Sequence, residues 1–347
     1  MRPAALVTGE VSPYRREPFR LLAEAEELEV IGWGTPAEPV PGLTVRNTTQ
    51  AGAARLVASG DYRAVIAGLG GRIALPATYA AARRAGIPFV LWASLWSHPR
   101  TLAHTLSRPA TELLYRRADA VVTYGPHVSD HVERSRRGGN VFAAPQAVSA
   151  ELFARPVPDA ERREWRERAG VADDGFLALF AGRLEEEKGV RILLTAWRDA
   201  QLENASLALA GEGPLREGGT LLGHVPRERL PGLYAAADAL VLPSIRTATF
   251  TEPWGLVVNE AMHQGTPVIA SDAVGAAAGG LVRDGRNGIV VPERDPAALA
   301  AALRALAGDG NLRERLGAAA REDVNEYSEA AWVAGMRRAL ASVGVGR

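Results

Sequence analysis

The sequence predicts an α/β protein with two Rossmann-like domains, each built on a parallel sheet. Three observations predict this class. Short apolar runs alternate with longer helical patterns through the first 150 residues, the alternation restarts near residue 177, and only helical patterns follow residue 295. Strands that alternate with helices in this way indicate right-handed βαβ units, which assemble into parallel sheets.

The first half of the chain contains six apolar runs that we predict as strands, at 5–9, 29–34, 64–69, 88–94, 120–125 and 141–146. Helical patterns separate them, at 16–27, 51–59, 74–85, 101–117 and 126–136. Residues 150–175 mix prolines with charged residues, which predicts a linker that enters a charged helix. We therefore expect the first domain to cover residues 1–152.

The second half repeats the alternation and predicts a second domain over residues 153–327. Its predicted strands are 177–182, 206–211, 220–225, 239–244, 267–271 and 288–292, and its predicted later helices are 295–309, 312–324 and 328–343. In open parallel sheets, ligands bind beyond the carboxyl ends of the strands. Five features follow strand ends here and are expected to converge on one crevice: Arg183, Gly211, His224, Ser244 and the loop 249–260.

Composition sets limits on the class of protein. With 347 residues, of which 47% are apolar, the chain is long enough for two domains with full cores. The absence of cysteine excludes disulfides and thiolate metal sites and fits a reducing compartment. No apolar run approaches the roughly 18 residues of a membrane span, so we expect a cytoplasmic protein.

The net charge of the whole chain is zero, but its two halves carry opposite net charges. Residues 1–150 hold 17 Arg against 12 Asp plus Glu, a net charge of +5. Such a domain suits an anionic acceptor or peripheral contact with an acidic lipid surface, although scattered solvated arginines give the same count. Nucleic acid is not an expected partner, because no basic run is interleaved with aromatic residues. The oligomeric state is not predicted.

The stretch 249–272, TFTEPWGLVVNEAMHQGTPVIASD, carries the clearest signal of a ligand site. Pro253 and Gly255 oppose a regular helix, and apolar residues at helical spacing follow, so a helix should begin near Gly255. On one continuous helix, Glu252 and Glu260 would be about 80° and about 12 Å apart. We interpret them as one loop carboxylate and one helix carboxylate, placed on either side of helix-end amides that favour an anion. This arrangement suits a nucleotide sugar, although capping or solvated glutamates are the alternative.

Lys188 stands out because the 40 cationic side chains include no other lysine. The remaining positions all carry arginine, as a coding bias toward arginine would produce. A compact ammonium and a planar guanidinium differ most where a phosphate oxygen must be reached in a confined site. Lys188 is therefore a candidate phosphate ligand. The alternative is that one lysine remains at this position by chance and has no special role.

The motif GRLEEEKG, followed by EPWGLVVNEAMHQGTPVIAS, resembles the family-4 retaining glycosyltransferases of the GT-B fold. The resemblance covers most of residues 175–330, including LALAGEGP, LYAAADALVLPS and VRDGRNGIVVPERDP, whereas in the first half it depends on the order of elements and RRADAVVTYG. It implies two Rossmann-like domains that face each other across a cleft. It also implies that the terminal helix, within residues 328–347, returns to the first, acceptor-side domain.

The same resemblance implies roles for single residues. Arg183 and Lys188 would neutralise the donor diphosphate as the sugar bond breaks, Glu252 would bond the sugar hydroxyls, and Glu260 would chelate the ribose. The base would lie near Gly223, His224 and Val225. The contacts with donor sugar and diphosphate would come from Gly9, Pro253, Trp254, Gly255, Leu256 and Val257. Neither a metal nor another cofactor would be required.

The first domain matches the family pattern less closely. His98, after the strand in LWASLWSHP, corresponds to a family histidine that faces the donor sugar, and a plain helix-start histidine is the alternative. Trp96 is a candidate for stacking on an acceptor, or else packs in the core. The loop GEVSPYRREP lacks the paired glycines usual in the family, so it departs from the family pattern next to Gly9. Acceptor contacts are instead assigned to Tyr14, Arg15 and Arg16.

The resulting functional hypothesis is retaining, metal-independent transfer of a hexosyl group from a UDP- or GDP-sugar to a hydroxyl of a glycan, lipid or secondary metabolite. Two alternatives stay open: a nucleotide-sugar 2-epimerase on the same fold, and a non-catalytic nucleotide-sugar-binding protein. His127 and His131 have metal-ligand spacing but no convincing third ligand. GEGPLR at 211–216 lacks the third glycine of a dinucleotide-binding turn, which disfavours hydride transfer.

Overall fold

The computed structural model describes residues 2–35, 39–71 and 73–346. The chain divides into two units, one formed by Met1–Ala147 with Ser328–Arg347 and the other by Val148–Tyr327. Each unit contains one sheet, and every strand pairing in both sheets is parallel.

The sheet of the first unit has the order β3-β2-β1-β4-β5-β6-β7. Its strands are β1 (Ala4–Thr8), β2 (Leu28–Gly32), β3 (Thr44–Asn47), β4 (Ala64–Gly68), β5 (Phe89–Ala93), β6 (Ala120–Thr123) and β7 (Val141–Ala143). The order reverses between β1 and β4, and such a switch point opens a crevice at the carboxyl ends of the two strands.

Five helices connect these strands: α1 (Pro13–Glu26), α2 (Gln50–Ala58), α3 (Ala74–Ala85), α4 (Leu102–Arg117) and α5 (Pro126–Glu133). Two of them begin at threonine caps. The hydroxyl of Thr49 accepts from the Gly52 amide at 3.0 Å, and that of Thr101 accepts from the His104 amide at 3.3 Å. These caps satisfy amides that would otherwise lack an acceptor at the helix start.

The prediction of six strands in the first unit is wrong by one, because β3 was missed. This strand, with the sequence TVRN, lies at the edge of the sheet and is largely exposed. An edge strand that pairs on one side and faces solvent needs few apolar residues. It therefore lacks the apolar run by which the other six strands were found.

The sheet of the second unit has the order β10-β9-β8-β11-β12-β13, and all six of its strands were predicted. They are β8 (Phe176–Ala181), β9 (Ala205–Ala210), β10 (Thr220–Gly223), β11 (Ala239–Leu242), β12 (Val268–Ser271) and β13 (Gly288–Val291). Every residue of β8 is buried, as expected for a strand covered on both faces. The switch point lies between β8 and β11.

The helices of the second unit are α6 (Ala150–Phe153), α7 (Asp159–Arg168), α8 (Val190–Ala200), α9 (Leu230–Ala236), α10 (Leu256–His263), α11 (Gly275–Ala278), α12 (Pro296–Gly308) and α13 (Gly310–Asp323). Asp295 caps α12 and Asp309 caps α13, each by accepting a backbone amide at 2.9 Å. The second cap also explains why α12 and α13 are separate helices although they are nearly contiguous in sequence.

The last helix, α14 (Glu329–Ser342), belongs to the first unit, which confirms the predicted return of the chain. Trp332 is 1% exposed, and its ring centroid lies 5.8 Å from that of Phe19 and 5.7 Å from that of Trp92. Arg337 donates to the fully buried Glu26 at 2.8 Å. Aromatic packing and a buried carboxylate thus fix α14 to the face of the sheet that α1 also covers.

Candidate functional site

Lys188 forms an ion pair with Glu252 in the second unit. Lys188 ends a single-turn 3-10 helix that follows β8, and its ammonium donates to one carboxylate oxygen of Glu252. The two side chains are only 14% and 8% exposed. The hydroxyl of Ser244 donates to the same oxygen at 3.1 Å, and the ammonium lies 4.9 Å from the ring centroid of Phe250. The loops that follow β8 and β11 therefore meet at this pair of charges.

Backbone geometry explains how these two loops approach each other. Gly189, the residue after Lys188, has φ of 72°, and a Cβ there would lie 1.8 Å from the carbonyl oxygen of Pro243. Any side chain at this position would push the two loops apart. Glycine at 189 therefore lets the ammonium reach the carboxylate.

The helix α10 begins as the sequence predicts, immediately after Gly255. That glycine has φ of 96°, and a Cβ would come within 2.7 Å of Leu242. The indole of Trp254 is buried and donates to the Asn259 side chain at 2.7 Å, which ties the loop to the first turn of the helix. The amides that open the helix, including those of Leu256 and Val257, have no preceding turn to donate to, so they favour an anion.

A cavity of about 390 Å³ lies at the carboxyl ends of β8 and β9. Five of the predicted site residues line it: Arg183, His224, Val225, Val257 and Glu260. They come from three separate segments of the chain, and the parallel topology of the sheet brings them together. Their individual roles in binding remain predictions.

Glu260 is half-buried in this cavity and is held by Tyr234, whose hydroxyl donates to it at 2.6 Å. Burial raises the pKa of the Glu260 carboxyl, and hydrogen bonding from Tyr234 opposes this shift. The pKa of Tyr234 is raised well above its ordinary value, by burial and by the adjacent carboxylate. Tyr234 therefore remains a hydrogen-bond donor at neutral pH and fixes the orientation of the carboxylate.

Arg183 and Gly223 occupy more open positions. The side chain of Arg183 is 55% exposed and forms ion pairs with Glu185 and, at 3.2 Å, with Glu187. Its guanidinium is thus shared between two acidic neighbours. Gly223 lines an adjacent cavity of about 320 Å³, beside Gly211, rather than the cavity of Glu260. Pro253 is half-buried in the loop that precedes α10.

The first unit has a cavity of about 260 Å³ at its own switch point, lined by Gly9, Tyr14 and Arg15 among other residues. Arg15 is 6% exposed, its guanidinium lies 4.4 Å from the Trp92 ring centroid, and it donates to Gln146 at 2.6 Å. Arg15 is therefore part of the wall of the cavity. Arg16, the next residue on α1, is not among the lining residues.

His98 and Trp96 lie in a different cavity, of about 350 Å³. The His98 ring centroid is 5.6 Å from that of His131, and the Trp96 ring packs edge-on against His127 at 5.2 Å. Burial lowers the pKa of His98, and it lowers that of His131 to about 4, so both rings are neutral at pH 7. His98 and Gly9 thus line different cavities of the first unit, and their proximity to the donor stays a prediction.

Three side chains near the predicted site were not assigned a role from the sequence: Tyr234, Ser244 and Phe250. Ser244 had been placed at a strand end, which was a usable signal, and the motif LYAAADALVLPS contains Tyr234. Phe250 had no signal beyond its position two residues before Glu252. In the described ranges, no three His, Asp or Glu side chains cluster so that they could hold a metal ion. No helix in these ranges is long and apolar enough to span a membrane.

Two doubly wound parallel sheets, with a final helix that returns to the first unit, define a protein of the GT-B fold. A cavity lies at the carboxyl ends of strands in each sheet. Residues 161–323 match the family described as Glycosyl transferases group 1. The second unit is therefore a group 1 glycosyltransferase domain, and the resemblance noted in the sequence is confirmed.

Relatives and solved structures agree with this assignment. A D-inositol 3-phosphate glycosyltransferase of Xylanimonas cellulosilytica is 37% identical over 202 residues, which is 52% of this chain and 46% of the relative. An alpha-D-kanosaminyltransferase of Streptomyces kanamyceticus is 29% identical over 262 residues, which is 69% of this chain and 66% of the relative. Several of the curated relatives are matched over about half of their own length.

Among solved structures, HepE of Anabaena in complex with UDP has a TM-score of 0.80 at 20% identity, and it covers 99% of this chain and 100% of that one. Sucrose-phosphate synthase of Thermosynechococcus elongatus has a TM-score of 0.76 at 21% identity, with 99% of each chain covered. These likenesses confirm the fold.

Proposed function

We propose that this protein transfers a hexosyl group from a UDP- or GDP-sugar to a hydroxyl of a glycan, lipid or secondary metabolite. We further propose that the transfer retains the anomeric configuration, takes place in the cytoplasm and needs no metal or other cofactor. The observation that carries the proposal is the cavity of about 390 Å³, which gathers Arg183, His224 and Glu260 beside the opening turn of α10.

The shape and charge of this region suit a nucleoside diphosphate. Glu260, held by Tyr234 at 2.6 Å, would accept hydrogen bonds from the ribose hydroxyls. The base would lie toward His224 and Val225, and the diphosphate would lie over the amides of Leu256 and Val257. HepE, which shares the fold, has been solved with UDP and with UDP-glucose, and this supports the choice of ligand.

Lys188 and Arg183 would supply positive charge to the diphosphate as it leaves. Negative charge on the leaving phosphate grows while the sugar bond breaks, so cations that are already in place stabilise the transition state. Lys188 is paired with Glu252, and Arg183 is paired with Glu185 and Glu187. Donor binding would redirect these cations toward phosphate and release Glu252 to bond the sugar hydroxyls.

Retention would follow from attack by the acceptor on the face that the phosphate leaves. Glycosidases that retain configuration use a carboxylate nucleophile paired with a second carboxyl group about 5 Å away. Here Glu252 accepts a hydrogen bond from the Ser244 hydroxyl and would bond the sugar hydroxyls, so we assign it to holding the donor rather than to attacking carbon. The leaving phosphate would then take the proton of the acceptor hydroxyl.

The test begins with thermal shifts of the purified chain in UDP-, GDP- and dTDP-sugars. A ligand at about 100 times its Kd adds about 2.7 kcal/mol of stability, so the correct donor should raise Tm clearly. The Glu260→Gln variant should lose most of this shift, while the matched control Glu314→Gln, at an exposed position on α13, should keep it. Loss of the shift in both variants, or in neither, would contradict the proposed site.

The reaction is then followed by NMR with the donor that binds, in the presence of EDTA. Slow release of sugar with the anomeric configuration of the donor supports retaining transfer, with water as a substitute acceptor. Conversion of the donor to an isomeric nucleotide sugar would instead identify an epimerase. Binding with neither reaction, across a panel of hydroxyl acceptors, would favour a non-catalytic protein.

A further inference from the structure

A further cavity of the second unit, of about 440 Å³, lies at the carboxyl-terminal end of α10, where His263 contributes to its wall. The rest of the wall comes from the stretch that enters α7, from α9, and from the end of α13 with the turn after it. Of the described residues, none lines both this cavity and the one that contains Glu260. We call it the His263 cavity.

The wall of the His263 cavity is positively charged. Arg155, Arg162 and Arg321 line it, and none of the described residues that line it is acidic. Arg155 forms an ion pair with Glu161 at 2.7 Å, whereas Arg162 and Arg321 form no ion pair with any residue in the described part of the chain. Arg321 donates to the backbone carbonyl of Gln264 at 2.6 Å, which holds its guanidinium beside the end of α10. Two of the three arginine charges are therefore available to an anion.

His263 adds a buried polar side chain to this wall. It is 7% exposed, and its ring nitrogens have no hydrogen-bond partner among the residues that the structure describes. Burial lowers the pKa of the imidazole, so the ring is neutral at pH 7 and carries one N–H donor. Buried polar groups normally have partners, because burial without one destabilises the fold. An imidazole that meets only the cavity therefore indicates a ligand that accepts its hydrogen bond.

We infer that the His263 cavity binds the phosphate group of a small metabolite, held by Arg162, Arg321 and the N–H of His263. Guanidinium groups are suited to phosphate oxygens, to which they donate charge-assisted hydrogen bonds in a planar fork. A hard metal cation does not fit, since no carboxylate lines the cavity. A volume of about 440 Å³ lies within the range of small-molecule sites and leaves room for the rest of the metabolite beside its phosphate.

The experiment is a titration of the whole chain with inorganic phosphate at constant ionic strength, without nucleotide sugar, so that the result does not depend on transferase activity. It is followed by NMR of the labelled imidazoles. The chain has six histidines, and the signal that is lost in His263→Gln is that of His263. We expect phosphate to shift this signal in a saturable way and acetate to shift it much less. Isothermal titration gives the Kd of phosphate independently of that assignment.

Two neighbouring arginines of α7 make the test specific. Arg162→Ala, at an exposed position, should raise the Kd of phosphate about tenfold or more, because a charge-assisted hydrogen bond is lost. The matched control Arg163→Ala removes the same charge from an exposed position outside the cavity and should bind phosphate as the native chain does.

Three results would overturn the inference. The first is a His263 signal that phosphate leaves unshifted, or that acetate shifts as strongly. The second is equal weakening of phosphate binding in Arg162→Ala and Arg163→Ala, which would show a general effect of charge. The third is phosphate binding that Lys188→Ala abolishes and Arg162→Ala retains, which would place the anion beside Lys188 instead.

Discussion

Replacing Lys188 by alanine should damage both stability and turnover, because its ammonium neutralises a buried carboxylate. Glu252 is 8% exposed, and the alanine variant would leave its charge without the cationic partner. Removing one member of a buried ion pair costs about 3–5 kcal/mol. This is a large share of the roughly 5–15 kcal/mol that stabilises a typical protein. The cost cannot be read from the sequence, since the two residues are 64 positions apart.

The double variant Lys188→Ala/Glu252→Gln separates the stability cost from the catalytic loss. Glutamine at 252 carries no charge and can still accept the hydrogen bond from Ser244, so most of the lost stability should return. Turnover should not return, because the cation that meets the leaving diphosphate is still missing. By comparison with other preorganised electrostatic groups, that loss should be about 10²- to 10³-fold.

The assays are denaturant unfolding followed by circular dichroism and initial rates at saturating donor. Lys188→Arg adds a third comparison, since it keeps the charge but replaces a compact ammonium with a planar guanidinium. It should preserve stability better than alanine does and still turn over more slowly than the native chain. Near-native turnover by Lys188→Ala, or a double variant no more stable than that single variant, would refute the reasoning.

Three further predictions concern other parts of the structure. In the protein without ligand, Glu260→Gln should raise Tm at pH 8: burial raises the folded-state pKa of this carboxyl, so its ionised form destabilises the fold. The gain should vanish below the unfolded-state pKa of about 4.3, and a gain of equal size at pH 3.5 would contradict the sign. Trp332→Ala should cost about 3–5 kcal/mol in chemical denaturation, and a loss below about 1 kcal/mol would show that α14 is not needed by its unit. Gly255→Ala should destabilise by more than Gly285→Ala: both have positive φ, but a Cβ at 255 would meet Leu242 whereas one at 285 meets no atom within 4 Å. Equal losses of stability in the two variants would show that the contact with Leu242 relaxes at no cost.

Much of the fold could be predicted from the sequence because most of its strands are buried on both faces. Such strands appear as short apolar runs, and β8 is buried at every position. The edge strand β3 is paired on one side and largely exposed, and its sequence TVRN holds a single apolar residue, Val45, rather than an apolar run. A run of apolar residues therefore indicates that a strand is buried, and a strand that is exposed gives no such run.

The candidate site was predictable where chain topology determines position. Arg183 and His224 each follow a strand end, and parallel strands bring such positions to one edge of a sheet, where α10 places Glu260. Contacts between side chains were not predictable in this way. No sequence pattern predicts, for example, that the Arg15 guanidinium donates to Gln146, which is 131 residues away. Pairings across such distances depend on packing that no local sequence pattern encodes.

The central claim is that a nucleotide diphosphate binds in the second unit, over the start of α10 and against Lys188. A crystal structure of the chain with the donor that gives the largest thermal shift tests it most directly. We predict phosphate oxygens on the Lys188 ammonium and on the amides of Leu256 and Val257, with the ribose hydroxyls on Glu260. A nucleotide seated in the cavity of the first unit, or Lys188 still bonded to Glu252 and remote from the phosphates, would contradict the claim.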